Sequence, residues 1–407
     1  MHSRVNAVRA NVLLLGLALG LHAVGAEQAL RVPGFKVSET IAVPGTGPAE
    51  AVYPAFPAAL PLPGEKLLVT YKEGRGHTYD PGAGVATLEM NLAARTWHEG
   101  GRFVPPAPLL YQCAEPVRLN DGRIALFLDT QRIGPEPRHY RAPMRWALSA
   151  DEGRTFTAPS IFPVVDGVGY GYPLEGLTTR DATYLMVMTF GYLPGERWSV
   201  DILRTGDSGA NWTRVRNLSA ELGVSGFNEG SMLAFGDGFL VASRSYDGRA
   251  RLHRLDAAFR QRQTADLTAE SPWIASYIGR PRLLQHAGHI YLLGRNWPKG
   301  EFVAGQSSAA NPLGFPPAQQ LCLFRIDPVT LMPVAGWILD NAGKEAVTDG
   351  YYAVAGTSGE PDDERLHIIT YKALAGGRPQ LLRLEFRWSE FSNLTNGLKP
   401  VLAAVGP

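Results

Sequence analysis

What this chain of 407 residues has little of narrows its class before any motif is read. It carries two cysteines, Cys113 and Cys322, far apart in sequence. One pair makes no disulfide framework, and whether the two join or stay as free buried thiols is left open. Its nine histidines never fall at ligand spacing, so no metal site and no cofactor is expected. An excess of one charge is missing too. With 39 basic and 38 acidic residues the formal net charge is +1, which argues against a binder of nucleic acid or of membrane surfaces. There is no phosphate-cradling glycine loop and no Gly-x-Ser-x-Gly elbow. Long apolar runs stop after the first: Val12 to Leu21 follows Arg4 and Arg9 and precedes Val24-Gly25-Ala26. That is the layout of a secretory leader over residues 1–26, and its apolar part is shorter than the ~20 residues of a membrane span. The expectation is an exported mature chain, 27–407, secreted or periplasmic, with no membrane partner.

What is plentiful is glycine (45) and proline (31), spread evenly, as many short strands with tight turns require. Six apolar β-type cores recur. They begin at Leu67, Arg123, Thr183, Gly238, Ile290 and Leu366, with spacings of 56, 60, 55, 52 and 76 residues. Most follow a turn-rich element such as NDG or GDG and, before that, a short apolar segment. Each unit therefore reads as a hairpin of an inner strand and a more apolar second strand. Later in two units come SADEGRTF (149–156) and TGDSGANW (205–212), both S/T-x-D-x-G-x-x-aromatic. The Asp accepts from backbone N–H groups, the Gly supplies a positive φ, and the aromatic plugs a gap between sheets. These are Asp boxes, and Trp97 marks a decayed third with Leu92 and Ala94 in place of Asp and Gly. Four-stranded units that cannot bury both faces alone pack in a ring, so the expected fold is an all-β, single-domain, six-bladed β-propeller. The ring closes if 36–43 (KVSETIAV) zips against 381–388 (LLRLEFRW).

In such a ring the starts of the inner strands share one mouth. Read unit by unit, they hold VYPAFP, CAEPVR, YGYPLEG, FNEGSM, GRPRLL and DGYYAV. Glu115, Tyr172, Glu175, Glu229, Arg280, Arg282, Tyr351 and Tyr352 recur at equivalent points, with Lys72, Glu73, Asp129, Arg244 and Arg295 at the ends of the second strands. Ionisable groups in a narrow cup must pair or bind something.

On the two boxes, FNEGSMLAFGDGFLVASRS and DGYYAV, the chain resembles the sialidase (neuraminidase) superfamily. That resemblance implies a retaining exo-glycosidase acting on a terminal, acidic sugar of a glycan. Glu229 would activate the nucleophile Tyr351, with Tyr352 the one-step alternative, and Asp80 in YKEGRGHTYDPG would be the acid/base. Arg244 would be one of three arginines that clamp a carboxylate. Arg295 and Arg280 supply further positive charge, Arg75 and His77 neighbour Asp80, and Glu115 and Tyr172 complete the substrate-binding set. The first inner strand carries no arginine, and Gln319 and Gln320 stand where the third is expected, so the clamp is incomplete. The alternatives are a carbohydrate-binding propeller without catalysis and a polysaccharide lyase, which would draw on His77.

Overall fold

A computed structural model describes residues 29–42, 52–77, 80–133, 139–189, 198–224, 226–299, 319–375 and 377–392. The leader pattern lies outside the described residues. Within them the chain forms six antiparallel sheets. Blade one is Tyr53–Leu62, Lys66–Gly74, Gly84–Asn91 and Thr96–Phe103. Blade two is Leu109–Arg118, Ile124–Ile133, Arg145–Ser149 and Ser160–Ile161, with His139–Arg141 added beside its second strand. Blade three is Tyr170–Thr178, Thr183–Thr189, Val200–Thr205 and Thr213–Asn217. Blade four is Phe227–Phe235, Gly238–Ser245, Ala250–Leu255 and Gln261–Asp266. Blade five is Gly279–His286, His289–Asn296, Gln320–Ile326 and Pro333–Asp340.

Blade six is made from both ends of the described chain. Val347–Ser358, Arg365–Leu374 and Gln380–Arg387 take Val37–Thr40 as their outer strand, with Val37 opposite Glu385 and Thr40 opposite Leu382. The first strands pack against one another in order, blade six returning to blade one, so the sheets close a ring. This is the six-bladed propeller that the repeat spacing predicts.

Burial falls from the axis outward, which explains the sequence pattern. Second strands are covered on both faces by neighbouring blades: Ile124–Ile133 is buried through its first eight residues, and the first five, Ile124 to Leu128, read as an apolar run. The outermost Thr96–Phe103 is mostly exposed and polar. Cys113 and Cys322 are both buried, and no disulfide joins them.

The Asp boxes sit between third and fourth strands and repeat each other bond for bond. Ser149 Oγ accepts from Gly153 N (2.9 Å), and Asp151 Oδ1 accepts from Thr155 N (2.9 Å). Thr205 and Asp207 do the same for Gly209 N (2.9 Å) and Asn211 N (2.9 Å). These hydrogen bonds hold each Asp carboxyl at about 2. Each aromatic packs on the preceding blade: Phe156 meets Phe103 edge-on at 5.4 Å, and Trp212 meets Phe127 at 6.0 Å. In blade one the turn is carried by Asn91, whose Oδ1 accepts from Ala94 N (2.8 Å), while Leu92 is core. The polar anchor therefore sits one residue before the position expected for it.

One irregularity is common to all six blades. Near its start, every inner strand has one residue more than its partner: between Ala55 and Ala58, Tyr111 and Ala114, Tyr170 and Tyr172, Phe227 and Glu229, Gly279 and Arg282, and Gly350 and Ala353. A bulge of this kind re-aims a side chain and breaks the alternation of faces. Phe56, Arg280 and Tyr351 lie inside three of these bulges at φ of +54°, +43° and +64°, a region that non-glycine residues rarely enter. Backbone strain is thus concentrated at the mouth where the candidate residues converge.

Candidate functional site

The bulges surround a cavity of about 210 Å³ lined by Phe56, His77, Gln112, Cys113, Asp129, Gln131, Arg141, Tyr172, Asn228, Glu229, Arg244, Tyr246 and Tyr352. At its floor the Tyr352 hydroxyl donates to Glu229 Oε1. Glu229 Oε2 pairs with Arg244 Nη1 at 2.6 Å and accepts from Arg280 N at 2.7 Å. Arg244 Nη1 also reaches the Tyr352 hydroxyl at 3.1 Å. Burial pushes the Glu229 carboxyl up, but Arg244 and the Tyr352 hydrogen bond outweigh it and hold it at about 2. The same burial and the neighbouring carboxylate push the Tyr352 phenol well above its usual value. At neutral pH the pair is therefore a carboxylate facing a protonated phenol.

Tyr351 does not join Glu229. The inner-strand bulge turns it outward, and its hydroxyl donates to Asp340 at 2.7 Å, beside Lys36 and Lys372. Gly350 permits that turn: its φ is +153°, and a Cβ there would lie 2.6 Å from the carbonyl oxygen of Tyr371. The neighbouring alternative, Tyr352, is the tyrosine that meets Glu229.

Asp80 also departs from expectation. It is buried, accepts from Arg75 N (2.6 Å) and Gly76 N (3.1 Å), and pairs with Lys72 at 3.4 Å. Gly74 makes this possible, since a Cβ there would stand 2.0 Å from Asp80 Oδ2. The carboxylate is thus turned into its own loop and does not line the cavity. Arg75 is exposed and outside the lining, whereas His77 from the same loop is part of it.

The arginines separate into different roles. Arg280 and Arg282 are buried on the axis side. Arg280 Nη2 binds Glu115 Oε2 (2.9 Å) and its Nη1 binds the Tyr172 hydroxyl (2.9 Å). Arg282 forks onto Glu115 at 2.9 and 2.8 Å and reaches Glu175 at 2.7 Å. Arg280 and Glu115, expected to bind substrate, are therefore committed to each other, and Tyr172 presents its ring to the cavity. Arg295 is buried beside Tyr352, its guanidinium 5.0 Å from that ring, and donates to Gly350 O at 3.3 Å. It supports Tyr352 and is not a lining residue. Gln319 donates to Val347 O at 3.1 Å, away from the cavity.

Sequence reasoning passed over several lining residues. Phe56, on the first inner strand, where the resemblance implies an arginine and the sequence has none, lies 5.5 Å from the Tyr352 ring. Arg141, from the short strand His139–Arg141 added to blade two, pairs with Asp129 and lies 4.1 Å over the Tyr172 ring. Gln112 Oε1, Asn228 Oδ1 and Arg244 Nε are buried with no hydrogen-bond partner among the described residues. Asn228 and Gln112 each adjoin a residue singled out in the sequence. That adjacency was the available signal, but the bulges hid which neighbour points inward.

Asp349 of blade six is the other missed group. It accepts from Tyr53 Oη (2.5 Å), His77 Nδ1 (2.7 Å) and Tyr371 Oη (3.1 Å). Burial pushes its carboxyl up, but His77 and Tyr53 outweigh this and hold it below the usual range. Among the described residues no three His, Cys, Asp or Glu side chains converge as a metal site would require, and no helix is long and apolar enough to cross a membrane.

No known family profile and no curated protein matches the sequence. Solved structures do match in fold. A protein of unknown function from Dyadobacter fermentans superposes with a TM-score of 0.61 at 12% identity, over 86% of this chain and 98% of that one. The intramolecular trans-sialidase of Ruminococcus gnavus, in complex with oseltamivir carboxylate, gives 0.54 at 11% identity, over 84% and 96%. The NanB sialidase of Streptococcus pneumoniae gives 0.51 at 11% identity, over 83% and 69%. The fold is therefore a sialidase-like propeller.

Proposed function

We propose that the chain is a retaining exo-glycosidase that releases one terminal sugar from a glycan, with Tyr352 as nucleophile and Glu229 as its activator. The observation that carries this reading is the buried hydrogen bond from the Tyr352 phenol to the Glu229 carboxylate, open to a cavity on one side. A phenol is a poor nucleophile while protonated; a carboxylate in contact can take the proton as the bond to the anomeric carbon forms. With Glu229 held at about 2 and the phenol raised, the proton stays on Tyr352 until positive charge develops at that carbon. A cavity of about 210 Å³ lies below the ~300–1,000 Å³ of drug-sized sites and suits one ring of a chain end.

The lining also bears on the sugar. Arg141 and Arg244 each face a carboxylate, Phe56 replaces the first clamp arginine, and no three-arginine fork is assembled among the described residues. A sugar carboxylate asks for such a bidentate fork. The unpartnered acceptors Gln112 Oε1 and Asn228 Oδ1 ask instead for hydroxyl donors, and Phe56 and Tyr172 offer apolar walls. The reading is accordingly a sugar recognised through its hydroxyls, and the acidic sugar implied by the resemblance is given up. Export, suggested by the leader pattern of residues 1–26, belongs to the same proposal, and N-terminal sequencing of the mature protein tests it.

A panel of aryl sialosides, uronides and neutral glycosides tests the chemistry. Turnover of a neutral member with retained anomeric configuration is expected, with Tyr352→Phe and Glu229→Gln each lowering kcat by about 10³-fold or more. Hydrolysis surviving both substitutions would remove the mechanism. Binding without turnover would favour a lectin-like propeller, and unsaturated, ultraviolet-absorbing products would favour a lyase.

A further inference from the structure

We propose that His77, held by Asp349, is the proton donor and acceptor of this reaction, in the place that the resemblance gives to an aspartate. The inference rests on the Tyr352–Glu229 reading. It starts from the observation that the loop expected to supply an acid turns Asp80 inward and offers His77 to the cavity instead. The loop is pinned in that shape. Lys72 Nζ donates to Gly76 O (2.7 Å) and His77 O (3.0 Å), and Gln112 Nε2 donates to His77 O (2.6 Å). The imidazole stands edge-on to Phe56 with ring centroids 5.0 Å apart, and Phe56 in turn touches Tyr352 at 5.5 Å. Proton donor and nucleophile thus flank one aromatic side chain across the cavity.

The electrostatics favour the role. His77 Nδ1 meets Asp349 Oδ2 at 2.7 Å, which fixes the tautomer and leaves Nε2 to carry the mobile proton. Nε2 has no hydrogen-bond partner among the described residues. The charged and titratable groups around it come from four blades. Blade one gives Tyr53 and the Lys72 ammonium, which is directed to the loop carbonyls; blade six gives Asp349 and Tyr371. Blade five gives Arg295, which acts on Asp349, and blade two gives the uncharged Gln112. Among the described residues Asp349 is the one carboxylate hydrogen-bonded to the ring.

In the first step the bond between the anomeric carbon and the leaving oxygen breaks, and that oxygen takes the proton from His77 Nε2 and departs as an alcohol. Tyr352 Oη bonds to the anomeric carbon while its own proton passes to Glu229. In the second step neutral His77 takes a proton from water, whose oxygen attacks the anomeric carbon. The tyrosyl oxygen leaves and recovers its proton from Glu229, so nothing is consumed but water.

The test compares two aryl glycosides of whichever sugar the native chain turns over, one with a dinitrophenyl and one with a plain phenyl leaving group. General acid catalysis contributes ~10²–10⁴-fold and is needed only by the poorer leaving group. His77→Ala and His77→Gln are expected to lose about 10²-fold or more on the phenyl glycoside and less than tenfold on the dinitrophenyl glycoside. Tyr352→Phe should fail on both. Asp349→Asn, a positioning change, should lower kcat on the phenyl glycoside about tenfold or more, with KM and the rate on the dinitrophenyl glycoside little changed. Equal losses on both substrates for the His77 variants, or none, would overturn the proposal while leaving Tyr352–Glu229 standing. Absence of glycoside turnover by the native chain would overturn both.

Discussion

Two sets of buried carboxylates and arginines hang from the same ring of inner strands. On the axis, Glu115, Glu175, Arg280 and Arg282 join blades two, three and five, with Ser231 of blade four donating to Glu175 at 2.9 Å. Around the cavity, Glu229 with Arg244 and Asp129 with Arg141 do similar pairing. In the first set Glu115 accepts three guanidinium hydrogen bonds, Arg282 Nε is left without a partner among the described residues, and Arg280, Arg282 and Glu115 line no part of the cavity. In the second, Arg244 Nε, Asn228 Oδ1 and Gln112 Oε1 are left without partners on residues that do line it, and a phenol takes up one carboxylate oxygen. A buried charge must be matched, and where protein leaves the match incomplete around a cavity the remainder is an invitation to ligand. The composition of the two sets is nearly the same; what separates a staple from a site is the open space beside it.

The strongest way to break this contrast is to truncate each set once. Tyr352→Phe should abolish turnover yet shift stability by no more than about 1 kcal/mol, the worth of an ordinary hydrogen bond. Glu115→Ala should do the opposite damage, since it strands two buried guanidinium groups. A loss of about 3–5 kcal/mol by denaturant unfolding is expected, and a loss under 1 kcal/mol would mean that the network is solvated and not a staple. A smaller effect sharpens the same point within one dipeptide. Tyr351→Phe removes only a hydrogen bond to Asp340, which keeps Lys36 and Lys372. It should cost about 1 kcal/mol and leave kcat unchanged; a fall in kcat like that of Tyr352→Phe would reverse the two assignments.

The smallest effect concerns pH. Asp151 and Asp207 sit at about 2 against an ordinary 3.8, because the Thr155 hydroxyl on Asp151 and the Asn211 amide on Asp207, with the backbone N–H groups of the same residues and the Ser149 and Thr205 hydroxyls, bind the ionised form. A carboxyl lowered by folding stabilises the fold above its unfolded value, and that contribution is lost as pH falls through the folded one. Asp151→Asn should therefore lower Tm at neutral pH, and the gap from the native chain should narrow between pH 4 and pH 2. A gap constant across that range would show that the charge on the box is not what matters.

The frame of the molecule was legible because burial on both faces writes itself as apolar runs. Second strands such as Gly238–Ser245 stood out, their spacing gave six blades, and the pairing of Val37–Thr40 with the last strand matches the closure read from the two terminal segments. The site was half legible. Glu229 and Arg244 face each other across one hairpin, where register can be counted. Beyond that hairpin, face assignment assumed a period of two, and each inner strand breaks that period with at least one added residue, those of blades three and six with two. The choice between Tyr351 and Tyr352 turns on the extra residue between Gly350 and Ala353. Asp80 against His77 turns on a close approach at Gly74 that no spacing rule contains. Arg280 looked like a ligand-binding group because its partner Glu115 lies 165 residues away.

The shared sixth sheet sets an order of events during synthesis. Five sheets are contiguous in sequence and can form as the chain emerges, but the last needs residues 37–40 to wait for residues 380–387. Tyr352 and Asp349 belong to that late sheet, while Glu229 and His77 are made long before. A nascent or C-terminally clipped chain would thus hold Glu229 and His77 without Tyr352 and Asp349. On the proposed reading, chemistry begins only when the circle is complete.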